Sequence, residues 1–527
     1  MRLHYSAVCL LAALVFVRVP NASAADRSPK SSGGRMDEEA LAKCIDHHLA
    51  AKLAEKGVPP APLCDDATFL RRVYLDLAGC IPSIIDARDF LDDTRPNKRR
   101  IWVDMILDGN KPSRKLEAFP QHFANVYRTW IMSRVSNEQS AALAYNLESW
   151  LRQRLKANTP YDRLVREMLV NESEQSNNPI PNVFYQINAN KPEELAASTA
   201  RLFLGIKLEC AQCHEDRSGG SWSHEQFWSF AAFFADKNTG SSEPKQEIAV
   251  PGKKKTVRAR FLDGIEPSWK SNDNPRAVLA DWIVRRDNPY FARAAVNRLW
   301  SYFFGTGLVE PIDELGDHNP PSHPELLDEL ARQLIAHNFD LKYLIRAVVI
   351  SQAYQRVSIA SHPGQDDPRL FARMAVRGLS AEQLFDSLAE ATEYQDNSPV
   401  VMNAFVAPES LPPRQKFLSR FAHLDKATEA PTSILQALFL MNNSFVAERT
   451  SLEHNKTLAT IADAAKTDTA RRIETLFLVV LTRKPTAAER NRFVAYVDGH
   501  GQNDDRRRAL ADVFWVLLNC AEFRLNH

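Results

Sequence analysis

Beyond its N-terminal region the chain lacks any run of the roughly 18 consecutive apolar residues that a membrane-spanning helix needs, so no span is expected once that region is removed. Net charge is almost absent: 66 Lys and Arg stand against 65 Asp and Glu, giving +1 at pH 7. That balance gives no reason to expect a nucleic-acid partner or strong overall steering. Cysteine is scarce. Apart from Cys9, the six residues Cys44, Cys64, Cys80, Cys210, Cys213 and Cys520 are too few and too scattered to build a disulfide-framed fold. No G-x-S-x-G, H-E-x-x-H or Gly-rich phosphate loop occurs, which excludes the best-marked hydrolase and nucleotide sites. What remains is an ordinary globular composition, 44% hydrophobic and 25% charged, in 527 residues. That length suggests about two to four domains with ample core.

The first residues read as a secretory signal. Arg2 and His4 precede an apolar stretch from Ala7 to Val17, and Ala22-Ser23-Ala24 supplies small residues for cleavage. Cleavage after Ala24 is expected, with an uncleaved anchor as the alternative. Export to the periplasm or cell envelope follows, and with it an environment that permits disulfides. Residues 25–36 form a polar, flexible leader. A 3.6-residue apolar period then predicts helices over 37–55, closed by Gly57, and over 67–78, stopped by Gly79. In the second, Arg71, Arg72 and Asp76 fall within one or two turns, which suggests ion pairing on the helix surface. Further helices are predicted at 84–92, 97–108, 115–133, 141–157 and 160–170, with a polar loop over 171–183. Cys44 is expected to act as a small core hydrophobe, and Cys64 and Cys80 are a candidate pair across a helix.

The chain is organised around Cys210-Ala211-Gln212-Cys213-His214. C-x-x-C-H is the attachment signature of c-type haem, with both thiols forming thioethers and the His ligating iron. A helix opened by Pro192 and striped by Leu195, Thr199, Leu202, Phe203 and Ile206 leads into it. Trp222, Phe227, Trp228, Phe230, Phe233 and Phe234 follow, either as walls for a flat ligand or as a buried helix. Residues 236–272 turn Gly-, Ser- and Lys-rich around the alternating piece Thr256–Phe261, so a linker with a short β element is expected. Lys253-Lys254-Lys255 reads as a solvated turn. From 275 the periodicity predicts helices at 275–285, 290–304, 324–336, 340–353, 380–391, 431–448, 470–482, 486–498 and 505–523. Capping boxes are expected at Ser322/Glu325 and Thr486/Glu489.

Several stretches resemble known domains. LRRVYLDLAG at 70–79, YDRLVREML at 161–169 and LAASTARLFLGIKLECAQCH at 195–214 resemble the planctomycete cytochrome-like domain of unknown function, number fifteen forty-nine. LADWIVRRDNPYFARAAVNRLWSYFFGTGLVEPIDELG at 279–316, PPSHPELLDELA at 320–331, TSILQALFLMNN at 432–443 and NCAEFRLNH at 519–527 resemble its usual companion, number fifteen fifty-three. The resemblance implies an exported protein, often found beside sulfatase-like exported proteins, which sets a context in the envelope or in polysaccharide use. The family continues its motif as C-H-x-H-P, whereas this chain reads His214-Glu215-Asp216-Arg217. The second His is missing, either lost or replaced, and His224 is the nearby candidate for a replacement.

Three chemistries therefore compete at the motif. Haem c would be held by Cys210, Cys213 and His214; Met168 and Met374 are distant, which leaves His224 as a sixth ligand or the iron five-coordinate. Zinc would use Cys210, Cys213 and His214 with His224 or Asp216. A redox or structural Cys210–Cys213 disulfide is the third. A second polar cluster, Asp313, Glu314, Asp317, His318 and His323, suggests a metal or acid–base site, with loop solvation and helix capping as the plainer account. Arg293, Asn297, Arg298 and Trp300 share helical spacing and suggest a polar network between domains. The expectation is a mainly α protein: a helical cytochrome-like domain over 37–235, a linker over 236–272 and a second helical domain over 273–527. Its leading function is haem-c electron transfer with a redox partner in the envelope. A non-haem scaffold partnered with polysaccharide-degrading or sulfatase-like proteins and a metal-assisted hydrolase are the alternatives.

Overall fold

A computed structural model describes residues 34–109, 117–133, 141–170, 182–213, 222–235, 246–270, 273–396, 398, 401, 410–421, 440–464, 467–501 and 503–527. The signal segment, most of the leader, nearly all of the 171–183 loop, His214 and Asp216 lie outside these residues. The fold is mainly α, and among the described residues only two small two-stranded sheets occur.

Local sequence explains most helix ends. Asp37 and Asp65 accept from backbone amides at the starts of Glu38–Lys56 and Asp66–Ala78, and Gly57 and Gly79 close them in the left-handed region. The Thr486/Glu489 capping box forms. The Ser322/Glu325 box does not: His323 occupies the N-cap of Pro324–Ala336 without a side-chain bond, and the Ser322 hydroxyl instead lies 3.0 Å from His323 Nδ1. The helix expected over 431–448 is interrupted at Asn443, whose side chain caps Ser444–Arg449; residues 431–439 lie outside the described residues. Periodicity missed the short helices Val183–Ile187 and Lys456–Asp463. At the leader's end, Gly34 and Met36 are tied down: Gln333 bonds both, and the Tyr343 hydroxyl donates to Met36 O.

Apolar packing divides at a different place from the 236–272 segment. One core runs from Leu41 to Met374. A second gathers Leu75 and Ile81 with residues between Leu379 and Phe523. The 246–270 segment forms the expected hairpin, Glu247–Ala249 against Thr256–Arg258, and it is built into the first core rather than strung across it. Val257, Ala259 and Leu262 are buried, and the Phe261 ring stacks between Phe233 at 5.2 Å and Trp282 at 5.0 Å.

The helix Asp66–Ala78 joins the two cores. Phe69, Leu70, Val73, Tyr74 and Leu77 enter the first and Leu75 the second. With both sides covered, the charges between them are trapped: Arg71 is 3% exposed, Arg72 1% and Asp76 0%. Surface ion pairing is therefore not what these residues do. Arg71 donates to Val480 O at 3.1 Å and Phe523 O at 2.9 Å, and burial pushes its guanidinium down to about 10. Arg72 donates to His527 O at 3.1 Å and to Tyr354 O. Asp76 accepts from Arg377 Nη2 at 2.8 and 2.9 Å, Tyr354 Oη at 2.7 Å and Asn526 Nδ2 at 2.8 Å. The C-terminal residues are also held by Arg377–Gly378, which pairs with Leu525–Asn526. Cys64 and Cys80 are both buried and are not joined by a disulfide, so the candidate pair is not made; Cys64 Sγ lies 4.0 Å from Arg72 Nη1.

His122 extends this network. Tyr302 Oη donates to Asp76 O at 2.8 Å and lies 2.7 Å from His122 Nε2. The ring lies so close to Gly79 that a side chain there would collide with it.

Asp76→Ala leaves Arg377, Tyr354 and Asn526 without their acceptor and should cost about 3–5 kcal/mol in chemical denaturation; unchanged stability would contradict the assignment. Burial holds the His122 imidazole down at about 4 against an ordinary 6.5. The unfolded chain thus takes up the proton first, and the contribution is complete above about pH 6.5 and lost as pH falls toward 4. Stability should fall by roughly 3 kcal/mol through that window on account of His122. The His122→Gln variant should show a correspondingly shallower slope, and an identical slope would refute the role.

Candidate functional site

The C-x-x-C turn is placed by the helix before it and braced by the chain's second half. Pro192–Thr199 continues as a single π-helical turn, Ala200–Leu204, closed by Gly205 at φ 63°. The stripe Leu195, Thr199, Leu202, Phe203 and Ile206 is buried in the core. Leu315 N donates to Gly205 O at 2.8 Å, Ile206 bridges to Glu314, and a Cβ on Gly205 would meet Leu315 Cδ1 at 2.6 Å. Glycine satisfies both the backbone angle and the close approach.

Three residues later Glu209–Gln212 forms one 3₁₀ turn. Leu208 and Ala211 are buried and anchor it. Cys210 is half-buried and Cys213 exposed, and both are free thiols. Trp228 fixes the far end: its Nε1–H lies 3.3 Å from Gln212 O and 3.2 Å from His224 Nε2. Ser223 and Gln226 form a full capping box that seats His224–Ala231 beside the turn.

His224 is therefore next to the motif, and it is 7% exposed. As placed, its ring is engaged on both sides. Nε2 accepts from Trp228, and Nδ1 lies 3.5 Å from Lys253 Nζ. Ligation of iron or zinc by His224 would require that ring to leave Trp228. The aromatic set resolves similarly. Phe227, Trp228, Phe230, Phe233 and Phe234 are buried in protein, and Trp222 is half-buried at the edge.

The polar cluster of the second half does not assemble as a metal site. Asp313 pairs with Arg298, and its second oxygen lies 3.9 Å from Arg201 Nη1. Asp317 and His318 are exposed, while His323 is buried with its ring 5.6 Å from Phe371. Burial first, then Lys52 and His48, depresses the His323 imidazole to about 4. Among the described residues no group of three or more His, Cys, Asp or Glu is placed to hold a metal ion. The five residues of the expected cluster separate: Asp313 is drawn back to Arg298, Glu314 pairs with Lys207 at 3.3 Å, and His323 turns inward at the start of Pro324–Ala336.

In the expected interdomain network, Arg298 reaches the first half of the chain. Arg298 Nη2 donates to Arg201 O at 3.1 Å as well as to Asp313. Arg201 in turn stands 4.0 Å from Glu209, the first residue of the C-x-x-C turn. Asn297 holds the 309–312 loop through Val309 and Ile312, Arg293 pairs with Asp328, and Trp300 packs on Phe304. Sequence reasoning missed Arg201, although one signal was there: a charged residue inside the apolar helix ending LAASTARLFLG. It also missed Trp228 as an anchor, because an indole in an aromatic run reads as core.

This geometry offers two thiols on one short turn, Cys210 half-buried and Cys213 exposed, anchored beneath by Leu208 and Ala211. The fit to haem c is direct for the thiols; the axial candidate His214 follows Cys213 but lies outside the described residues. Zinc fits less well, since its nearby fourth ligand, His224, is already committed.

The first half of the chain, residues 44–239, matches the family model PSCyt2, described as a protein of unknown function (DUF1549). Residues 275–420 match PSD1, a protein of unknown function (DUF1553). Neither the curated proteins nor the solved structures gave a match. The chain thus carries a PSCyt2 (DUF1549) region followed by a PSD1 (DUF1553) region, in that order.

Proposed function

We propose that this is an exported redox protein that carries haem c on Cys210 and Cys213, with His214 as the axial ligand, and exchanges electrons with a partner in the cell envelope. The observation that carries the reading is the state of the two thiols: both are unbonded and reachable from solvent on one short turn, while Leu208 and Ala211 fix the backbone between and before them. Thioether formation needs two unbonded sulfurs, close in sequence, for the two vinyl groups of one flat ligand. When bound, haem c supplies a one-electron couple.

The chain's own residues position and insulate. Trp228 holds Gln212 O and so fixes the far end of the described turn. The buried ring set behind it excludes water from one side of the mount. Arg201, Glu209, Arg298 and Asp313 keep the turn attached to the second domain. The export reading rests on the N-terminal signal pattern and supplies the compartment in which covalent attachment takes place.

Expression in a host with haem-attachment machinery tests this directly. The product should give a c-type pyridine haemochrome spectrum and retain haem on a denaturing gel. The Cys210→Ala/Cys213→Ala double variant should lose the stain while remaining folded, and His224→Ala should keep it. A colourless product whose two thiols both alkylate would defeat the proposal.

A further inference from the structure

We infer that the hairpin tip Lys253-Lys254-Lys255 is a docking surface for an acidic protein partner, the electron donor or acceptor of the C-x-x-C-H turn. The inference rests on the redox reading above and names the partner's chemistry. Three observations support it. The tip is held in place: Val250 N donates to Lys255 O at 2.9 Å, Lys253 N to Val250 O at 3.1 Å, and Arg260 N ties the second strand to Ser229 O at 3.1 Å. Val257 and Ala259 anchor the hairpin in the core, while all three lysines are exposed. The charge is thus presented at fixed positions, unlike that of a loose tail.

The tip also adjoins the motif. Lys253 Nζ lies 3.5 Å from His224 Nδ1, His224 Nε2 3.2 Å from Trp228 Nε1, and that indole 3.3 Å from Gln212 O. A partner resting on the lysines would therefore stand two buried side chains, His224 and Trp228, from the backbone of the C-x-x-C turn.

The charge is concentrated locally in a chain whose net charge is +1. Lys255 pairs with Glu225 at 2.7 Å, and Glu225 is further held in its charged form by Arg260 and Lys253. Among the described residues, neither Lys253 nor Lys254 forms an ion pair with a carboxylate. Fixed, unneutralised cations beside a reactive centre favour encounter with a surface of opposite sign, and salt weakens that encounter.

A fluorescently labelled peptide of alternating Glu and Asp serves as the probe, with full-length haem-loaded protein and its Lys253→Gln/Lys254→Gln/Lys255→Gln variant. At low salt the peptide should bind the parent about tenfold more tightly than the variant, and the difference should vanish at roughly 0.3 M salt. Bound peptide should also slow oxidation of the reduced parent by ferricyanide several-fold. Equal binding to parent and variant, or binding that leaves the ferricyanide rate unchanged, would overturn the docking surface. A missing haemochrome band would instead overturn the haem reading, which the peptide-binding arm does not require.

Discussion

A buried carboxylate surrounded by donors from distant parts of the chain constrains the whole molecule. Asp76 reaches Arg377, Tyr354 and Asn526 through its side chain and Tyr302 through its carbonyl, so four segments far apart in sequence converge on one turn of one helix. A charge this deep is tolerated only when its oxygens are satisfied, and its removal strands a guanidinium in the same dry surroundings. Arg71 and Arg72, on the same helix, hold the carbonyls of residues 480, 523 and 527. The helix is thus apolar toward two cores and polar toward the C-terminal residues, and each contact makes sense only in the presence of the others.

That arrangement determines how the candidate site is supported. The first core includes the early part of the PSD1 region, so the segment around Arg298, Asp313 and Leu315 is fixed against the PSCyt2 region. From there it holds Arg201 and Gly205. The C-x-x-C turn accordingly sits on a floor made by both family domains. Its thiols need no movement of that floor to be reached, and Lys253 lies beside it, next to His224.

Much of this architecture was legible in the sequence. The apolar period placed Glu38–Lys56, Asp66–Ala78 and Pro324–Ala336 almost to the residue, because capping aspartates, prolines and closing glycines act locally. The C-x-x-C spacing located the turn. What resisted reading depended on contacts distant in sequence. Arg71, Arg72 and Asp76 looked like a solvated face because their partners lie 226 to 455 positions away in sequence. A clue was present in the flanking residues, since Phe69, Leu70, Val73, Tyr74, Leu75 and Leu77 leave the helix no polar side wide enough to be a surface. The expected carboxylate and imidazole cluster failed for a related reason. Closeness in sequence put Asp313 and His323 together, but Arg298 claimed the first and the apolar surroundings of Phe371 the second. His224 looked available because nothing local announced that Trp228 would occupy it.

Differential scanning calorimetry of the whole chain beside an Arg71→Leu variant tests the central claim most directly. If one helix joins both cores through its buried charges, the parent should unfold in a single cooperative transition. The variant should then release residues 379–527 as a separate transition at lower temperature. Two independent transitions in the parent, both unmoved by the substitution, would contradict the account.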